Sequence, residues 1–105
     1  MLCLNDTDLQ VEVEEDILDI VPSFLENQRR ELSTLQQVTP LGDFTRIRRI
    51  GHSMKGVGGM YGFDWISRFG ARLEHAAEHQ RDQIPAMLEL LARYLGSVKY
   101  TPVAI

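Results

Sequence analysis

The sequence of 105 residues has one cysteine, Cys3, and no long hydrophobic segment. A single thiol can form neither an internal disulfide nor a cysteine-based zinc cluster, so both are excluded as supports for the fold. No stretch is apolar over the roughly 20 residues that a membrane-spanning helix needs. The N-terminus lacks the basic region and long apolar core of a secretory signal. We therefore expect a cytoplasmic protein with no membrane partner.

The sequence also lacks an excess of positive charge, because 11 Lys and Arg residues stand against 15 Asp and Glu residues, giving a net charge of −4. Domains that bind nucleic acids are usually basic overall or along one stripe. This balance argues against a nucleic-acid partner, although Arg46, Arg48 and Arg49 form a local basic cluster. The length fits one domain, residues 1–105, with one hydrophobic core.

Hydrophobic residues recur at helical spacing along most of the chain, and no convincing alternation of polar and apolar residues indicates a strand. Val13 and Ile17 belong to a predicted short first helix. Pro22 suits the first turn of a second helix that ends near Gln37, since proline has a fixed φ angle and no N–H group. The predicted buried face of this second helix contains Phe24, Leu25, Gln28, Leu32 and Leu35.

A third helix is predicted to begin near Asp43, with residues of its buried seam spaced by three or four positions, as in an antiparallel bundle. A fourth helix follows, and Asp82 is predicted to cap a fifth, with Pro85 in its first turn. The predicted fold is all-α: an antiparallel up-and-down four-helix bundle with a short extra N-terminal helix. Its core extends from about 12 to 100, and 101–105 form an extended or flexible tail.

Residues 50–63 combine a predicted helix with several glycines. Each glycine inside a helix costs roughly 1 kcal/mol relative to alanine, so the close approach of another backbone or of a partner must offset this cost. His52 lies one residue off the buried seam, about 100° around the helix. We therefore expect it at the edge of the buried stripe, on the same face as Lys55, Gly56 and Gly59.

This group of residues is suited to phosphoryl transfer. An exposed neutral imidazole is nucleophilic at one nitrogen, and its attack on a phosphoryl group would give a phosphohistidine. Lys55, one turn after His52, can neutralise part of the phosphoryl charge. Gly56 and Gly59 leave room for a protein to dock over the imidazole. No GxxxxGK[ST] loop is present, so we expect no use of ATP by this chain.

These residues stand at the spacing of a known motif: His52-x-x-Lys55-Gly56, then Gly62, then Leu73-Glu74. The pattern resembles the histidine-containing phosphotransfer (HPt) domain of bacterial phosphorelays, and the similarity covers nearly the whole chain. It implies a monomeric phosphocarrier, without kinase activity, that accepts a phosphoryl group on His52. It also implies receiver domains of response regulators or hybrid histidine kinases as partners. Because those receivers bring Mg²⁺ themselves, no cofactor is expected on this chain.

The resemblance also implies roles for residues around His52. In the family the next helix supplies a polar group near the histidine, and Glu74 occupies the matching position. We expect Glu74, or a water that it holds, to orient the non-reacting ring nitrogen of His52. Arg48 and Arg49 flank His52 and are candidates for contact with an acidic receiver surface.

Two other interpretations remain open from the sequence. In the first, the protein is a helical adaptor that binds partners without phosphorylation, and His52 has no chemical role. In the second, His75 and His79, spaced i and i+4, bind a divalent metal on one helix face. Two ligands on a solvated helix make a weak site without a third, so no metal site is predicted.

Overall fold

The structure is a computed structural model that describes residues 3–104. Within that range it contains the helices α1 (Val21–Val38), α2 (Phe44–Gly58), α3 (Asp64–His79) and α4 (Ile84–Ser97). Short 3₁₀ helices cover Glu15–Ile20, Gly59–Tyr61 and Arg81–Gln83, and the strands are β1 (Gln10–Glu14) and β2 (Lys99–Val103). In the described range, no helix is both long enough and apolar enough to cross a membrane.

Local sequence signals account for several helix ends. Pro22 lies in the first turn of α1, where a missing N–H group is tolerated. The Asp43 carboxylate accepts a hydrogen bond of 3.3 Å from the backbone N–H of Arg46 and so caps α2. The predicted Asp82 cap is wrong: Asp82 lies inside a 3₁₀ helix, which leaves Gln83 as the N-cap of α4.

The chain is not all-α, because its two ends form a small sheet. β1 and β2 pair in parallel, with Gln10 opposite Lys99 and Val13 opposite Pro102. Val13 is buried while its neighbours in β1 are exposed or half-buried, so one face of the strand contacts the core. Hydrogen bonds between the two strands therefore link the segment before α1 to the segment after α4.

The sheet changes the description of both termini. Residues 13–21, predicted as a short first helix, are divided between β1, a 3₁₀ helix and the first residue of α1. Residues 101–103, predicted as part of an extended or flexible tail, lie in β2. Ile105 lies outside the described residues.

The core contains buried side chains from all four helices, including Leu35, Ile47, Ile66, Phe69, Leu73 and Leu91. An aromatic group closes the end of the core that carries the sheet. Phe24 stacks on Tyr61 with ring centroids 4.2 Å apart, and Phe63 meets Tyr100 of β2 edge-on at 6.2 Å. The turn between α2 and α3 is therefore attached both to α1 and to the terminal sheet.

Candidate functional site

His52 lies on α2 at the edge of its buried face, where the spacing predicts it. The residue before it, Gly51, is buried, and so is Met54, whereas 73% of the His52 side chain is exposed. The helix therefore holds the imidazole at the surface while the same turn packs into the core. An exposed imidazole at this position on a helix is accessible to another protein.

The carboxylate of Glu74 contacts both His52 and Lys55. Nδ1 of His52 lies 2.7 Å from Oε2 of Glu74, and Nζ of Lys55 donates a hydrogen bond of 3.3 Å to Oε1. An ionised carboxylate only accepts hydrogen bonds, so Nδ1 carries the proton of the imidazole in this pair. The neutral ring then has its lone pair on Nε2, which is the nitrogen not bound to Glu74.

The same contacts determine the charge of Glu74. The hydrogen bond from the His52 side chain lowers the pKa of Glu74 below its ordinary value of 4.5. The hydrogen bond and positive charge of Lys55 act in the same direction, while partial burial opposes them. Glu74 is therefore an anion at neutral pH, and it can stabilise positive charge on the imidazole ring.

α2 and α3 approach each other closely behind this site because glycines face each other there. A Cβ atom on Gly51 would lie 2.7 Å from the carbonyl oxygen of Gly70 and 2.8 Å from the backbone nitrogen of Glu74. Farther along α2, a Cβ on Gly58 would lie 2.5 Å from the backbone nitrogen of Ser67. The interior glycines of this segment thus include two that pack against the α3 backbone.

Gly56 and Gly59 differ from these packing glycines. Both are exposed, and a Cβ atom on Gly56 would meet nothing within 4 Å. A Cβ on Gly59 would make only an ordinary contact, 3.7 Å from Oγ of Ser67, and the Gly59 N–H donates a hydrogen bond to that oxygen. Few side-chain atoms therefore cover the surface beyond Lys55. Packing within the protein does not explain why residue 56 is a glycine.

The arginines before His52 have different surroundings. Arg48 forms an ion pair of 3.6 Å with Glu78 of α3, and both side chains are about half exposed. Arg49 is exposed and makes no salt bridge within residues 3–104. The positive charge of Arg48 is thus partly balanced by Glu78, while Arg49 is available to a partner.

The two histidines of α3 lie close together on one face of the helix. The rings of His75 and His79 lie 4.8 Å apart, and Nε2 of His79 is 3.6 Å from Glu78. Between residues 3 and 104, no group of three or more His, Cys, Asp or Glu side chains is placed to hold a metal ion. The third ligand that such a site requires is absent from this part of the chain.

Gly70 and Ser67 form the α3 side of the contact with α2, and neither was predicted from the sequence. A signal for Gly70 was present: it is a glycine inside a helix, between the core residues Phe69 and Leu73 and one turn before Glu74. An interior glycine with this cost usually has a packing reason. For Ser67 no such signal exists, since serine on a half-buried helix face is common.

Comparison with protein-family models identifies the class of the chain. The Hpt domain model matches residues 19–100, which is most of the sequence, so the chain belongs to the Hpt domain family. This membership supports a phosphotransfer role in phosphorelays, as a carrier module rather than a kinase. Comparisons with curated proteins and with solved structures gave no match.

Proposed function

We propose that this protein is a phosphorelay intermediate in which Nε2 of His52 accepts a phosphoryl group from, or returns it to, an aspartate of a receiver domain. The observation that carries the proposal is the hydrogen bond between Nδ1 of His52 and Glu74, made by an imidazole that is 73% exposed. This bond directs the free lone pair of the ring to Nε2. Exposure allows an aspartyl phosphate on another protein to reach it.

In the transfer step, the Nε2 lone pair attacks phosphorus and an N–P bond forms. The P–O bond to the receiver aspartate breaks, and the aspartate leaves as a carboxylate with the bonding electrons. The proton on Nδ1 stays in its hydrogen bond to Glu74, whose negative charge balances the positive charge that develops on the ring. Lys55 lies one turn after His52 on the same face of α2, where it can share in neutralising the phosphoryl oxygens. Mg²⁺ belongs to the receiver in this scheme.

The surroundings of His52 support docking of a receiver. Gly56 faces open space, and neither Gly56 nor Gly59 has a side chain, so the surface on this side of the imidazole is unobstructed. Met60, next to Gly59, is 74% exposed and offers an apolar contact. Arg49 and Arg48 supply positive charge for an acidic partner surface. We propose that a monomer of this protein binds one receiver at a time over this face.

The test mixes the purified protein with phosphorylated receiver domains from the same cell and follows phosphate that is labile in acid and stable in base. The wild type and His52→Gln are compared, with His79→Gln as a matched control because His79 is also an exposed helix histidine. We expect label on the wild type and on His79→Gln but not on His52→Gln. If no receiver loads the folded wild type, the adaptor interpretation is favoured.

A further inference from the structure

Among the glycines at the interface between α2 and α3, Gly70 of α3 has the closest approach to a neighbouring backbone. A Cβ atom built on Gly70 would overlap the backbone nitrogen of Lys55, and it would lie 2.5 Å from the carbonyl oxygen of Gly51 and 2.8 Å from the Cβ of Met54. Two of these three atoms belong to the α2 backbone, so a side-chain rotation cannot relieve the overlap. A methyl group at this position requires α2 and α3 to move apart.

This contact lies directly behind the polar groups of the site. Gly51 is the residue before His52, and Lys55 is itself the nearest neighbour of Gly70 across the helix interface. Glu74 follows Gly70 by four residues and therefore stands one turn away on the same face of α3. The separation of the helices at Gly70 thus affects how far the Glu74 carboxylate must reach to contact the side chains on α2.

The two hydrogen bonds of Glu74 are sensitive to that separation. The 2.7 Å bond to His52 and the 3.3 Å bond to Lys55 both cross from α3 to α2. A shift of about 1 Å takes both bonds beyond ordinary hydrogen-bond distances. The side chains of His52 and Lys55 are 73% and 53% exposed, so solvent rather than protein surrounds much of each one.

We propose that Gly70 is a positioning residue of the phosphotransfer site, which acts by holding α2 and α3 close enough for Glu74 to bind Nδ1 of His52 and Nζ of Lys55. The inference rests on the proposed function, because it assigns a role in the reaction of His52. It gives a reason for a glycine inside α3, where the residue would otherwise only weaken the helix.

The test compares Gly70→Ala with Gly96→Ala, a matched control in which the new methyl group on α4 meets nothing within 4 Å. Two NMR readouts do not depend on phosphorylation: the titration of the Glu74 carboxyl carbon, and the fraction of His52 protonated on Nδ1 or Nε2. In Gly70→Ala we expect the pKa of Glu74 to rise toward 4.5 and the Nε2–H tautomer to increase. In Gly96→Ala both should match the wild type.

A third readout is the initial rate of His52 phosphorylation by phosphoramidate, a small donor from which the phosphoryl group passes to Nε2 while ammonia leaves. We expect this rate to fall in Gly70→Ala by up to about 100-fold, the cost of misplacing catalytic groups by about 1 Å, and to stay unchanged in Gly96→Ala. A folded Gly70→Ala protein with the wild-type Glu74 titration, tautomer and rate would overturn the inference. If no receiver domain phosphorylates the wild type, the proposed function fails, whereas the NMR comparison still tests Gly70.

Additional variants keep the test informative if Gly70→Ala does not fold. Gly51→Ala introduces the methyl group from the opposite helix, with contacts of 2.7 and 2.8 Å, and should give the same changes. Glu74→Asp shortens the carboxylate by one methylene while the helix packing stays as it is. We expect the Nε2–H tautomer to increase in Glu74→Asp, and a wild-type tautomer there would contradict the requirement for close spacing.

Discussion

The two ring nitrogens of His52 have different environments, and this difference determines which nitrogen carries the lone pair. Nδ1 is bound to Glu74, whereas the side chain as a whole remains mostly exposed. A carboxylate in this position selects the tautomer with the lone pair on Nε2 and stabilises the ring when it becomes positively charged. Because Lys55 binds the other oxygen of the same carboxylate, Glu74 is held at both oxygens.

The lowered pKa of Glu74 predicts how the stability of the protein depends on pH. A carboxyl group whose pKa is lower in the folded state stabilises that state above its unfolded pKa, near 4.5, and this contribution is lost as the pH falls through the folded value. We therefore expect the wild type to be more stable than Glu74→Gln at neutral pH and the difference to shrink below pH 4.5. Urea unfolding of both proteins across this range measures it.

Glutamine keeps the size of the side chain and one accepting oxygen, so this comparison isolates the charge. A control pair, Glu89→Gln against the wild type, removes an exposed carboxylate from α4. A difference between wild type and Glu74→Gln that is the same at neutral and acidic pH would contradict the assigned ion pairs.

A second prediction concerns the buried hydroxyl of Tyr94. Its oxygen has no hydrogen-bond partner among the described residues, and burial, with Asp64 and Asp8 adding to it, raises the pKa of Tyr94, so the group stays neutral. An unsatisfied buried hydroxyl costs about 1–3 kcal/mol. We expect Tyr94→Phe to raise the free energy of unfolding by about 1 kcal/mol. Urea unfolding checks this, with the half-buried Tyr61→Phe as control, and a clear loss of stability in Tyr94→Phe would contradict it.

Much of the site could be predicted at the level of single residues, because His52, Lys55 and Gly56 are close in sequence and share a helix face. The position of His52 at the edge of the buried stripe follows from helical periodicity alone. The distance from His52 to Glu74 does not, since it depends on how closely α2 approaches α3. That approach is set by Gly51 and Gly70, which are 19 positions apart and give no local signal of their pairing.

At the scale of elements, hydrophobic periodicity predicted α1 to α4 because each helix buries one continuous stripe. The terminal sheet was not predicted, although Val11 and Val13 alternate with polar residues in β1. Five residues are too few for a reliable period, and the partner strand lies at the other end of the chain. Pro102 in β2 also argues against a strand, since proline cannot donate to a ladder.

The interface between α2 and α3 predicts that glycine-to-alanine substitutions have opposite effects on the free energy of unfolding at two positions. At Gly58 a new Cβ would lie 2.5 Å from the Ser67 nitrogen and 2.9 Å from the Phe63 oxygen, so Gly58→Ala should lower the free energy of unfolding by about 1–3 kcal/mol. At Gly96 the space is open, and Gly96→Ala should raise it by about 0.5–1 kcal/mol. Urea unfolding of both variants measures the changes, and a higher free energy of unfolding in both would show that helix propensity, rather than interhelical contact, dominates at Gly58.

At the scale of the whole molecule, the terminal sheet joins both ends of the described chain to the turn that follows the site. Tyr100 of β2 contacts Phe63, and the backbone of Glu12 in β1 lies 3.3 Å from the position of a Cβ on Gly62. Gly62 has a φ angle of 86°, which favours glycine, and ends the 3₁₀ helix after α2. The sheet therefore supports the end of the helix that carries His52.

The distribution of charge over the molecule leads to the last prediction. The protein has a net charge of −4, yet Arg49 beside His52 is exposed and without a salt bridge within residues 3–104. If docking depends on local charge, Arg49→Glu should slow phosphoryl transfer from a receiver roughly tenfold and weaken its dependence on salt. Arg93→Glu, an exposed site on α4, changes the net charge by the same amount and should have a much smaller effect. Transfer rates measured at rising ionic strength show whether local charge around His52 or the net charge of the protein controls association. Equal slowing by both variants would indicate control by net charge.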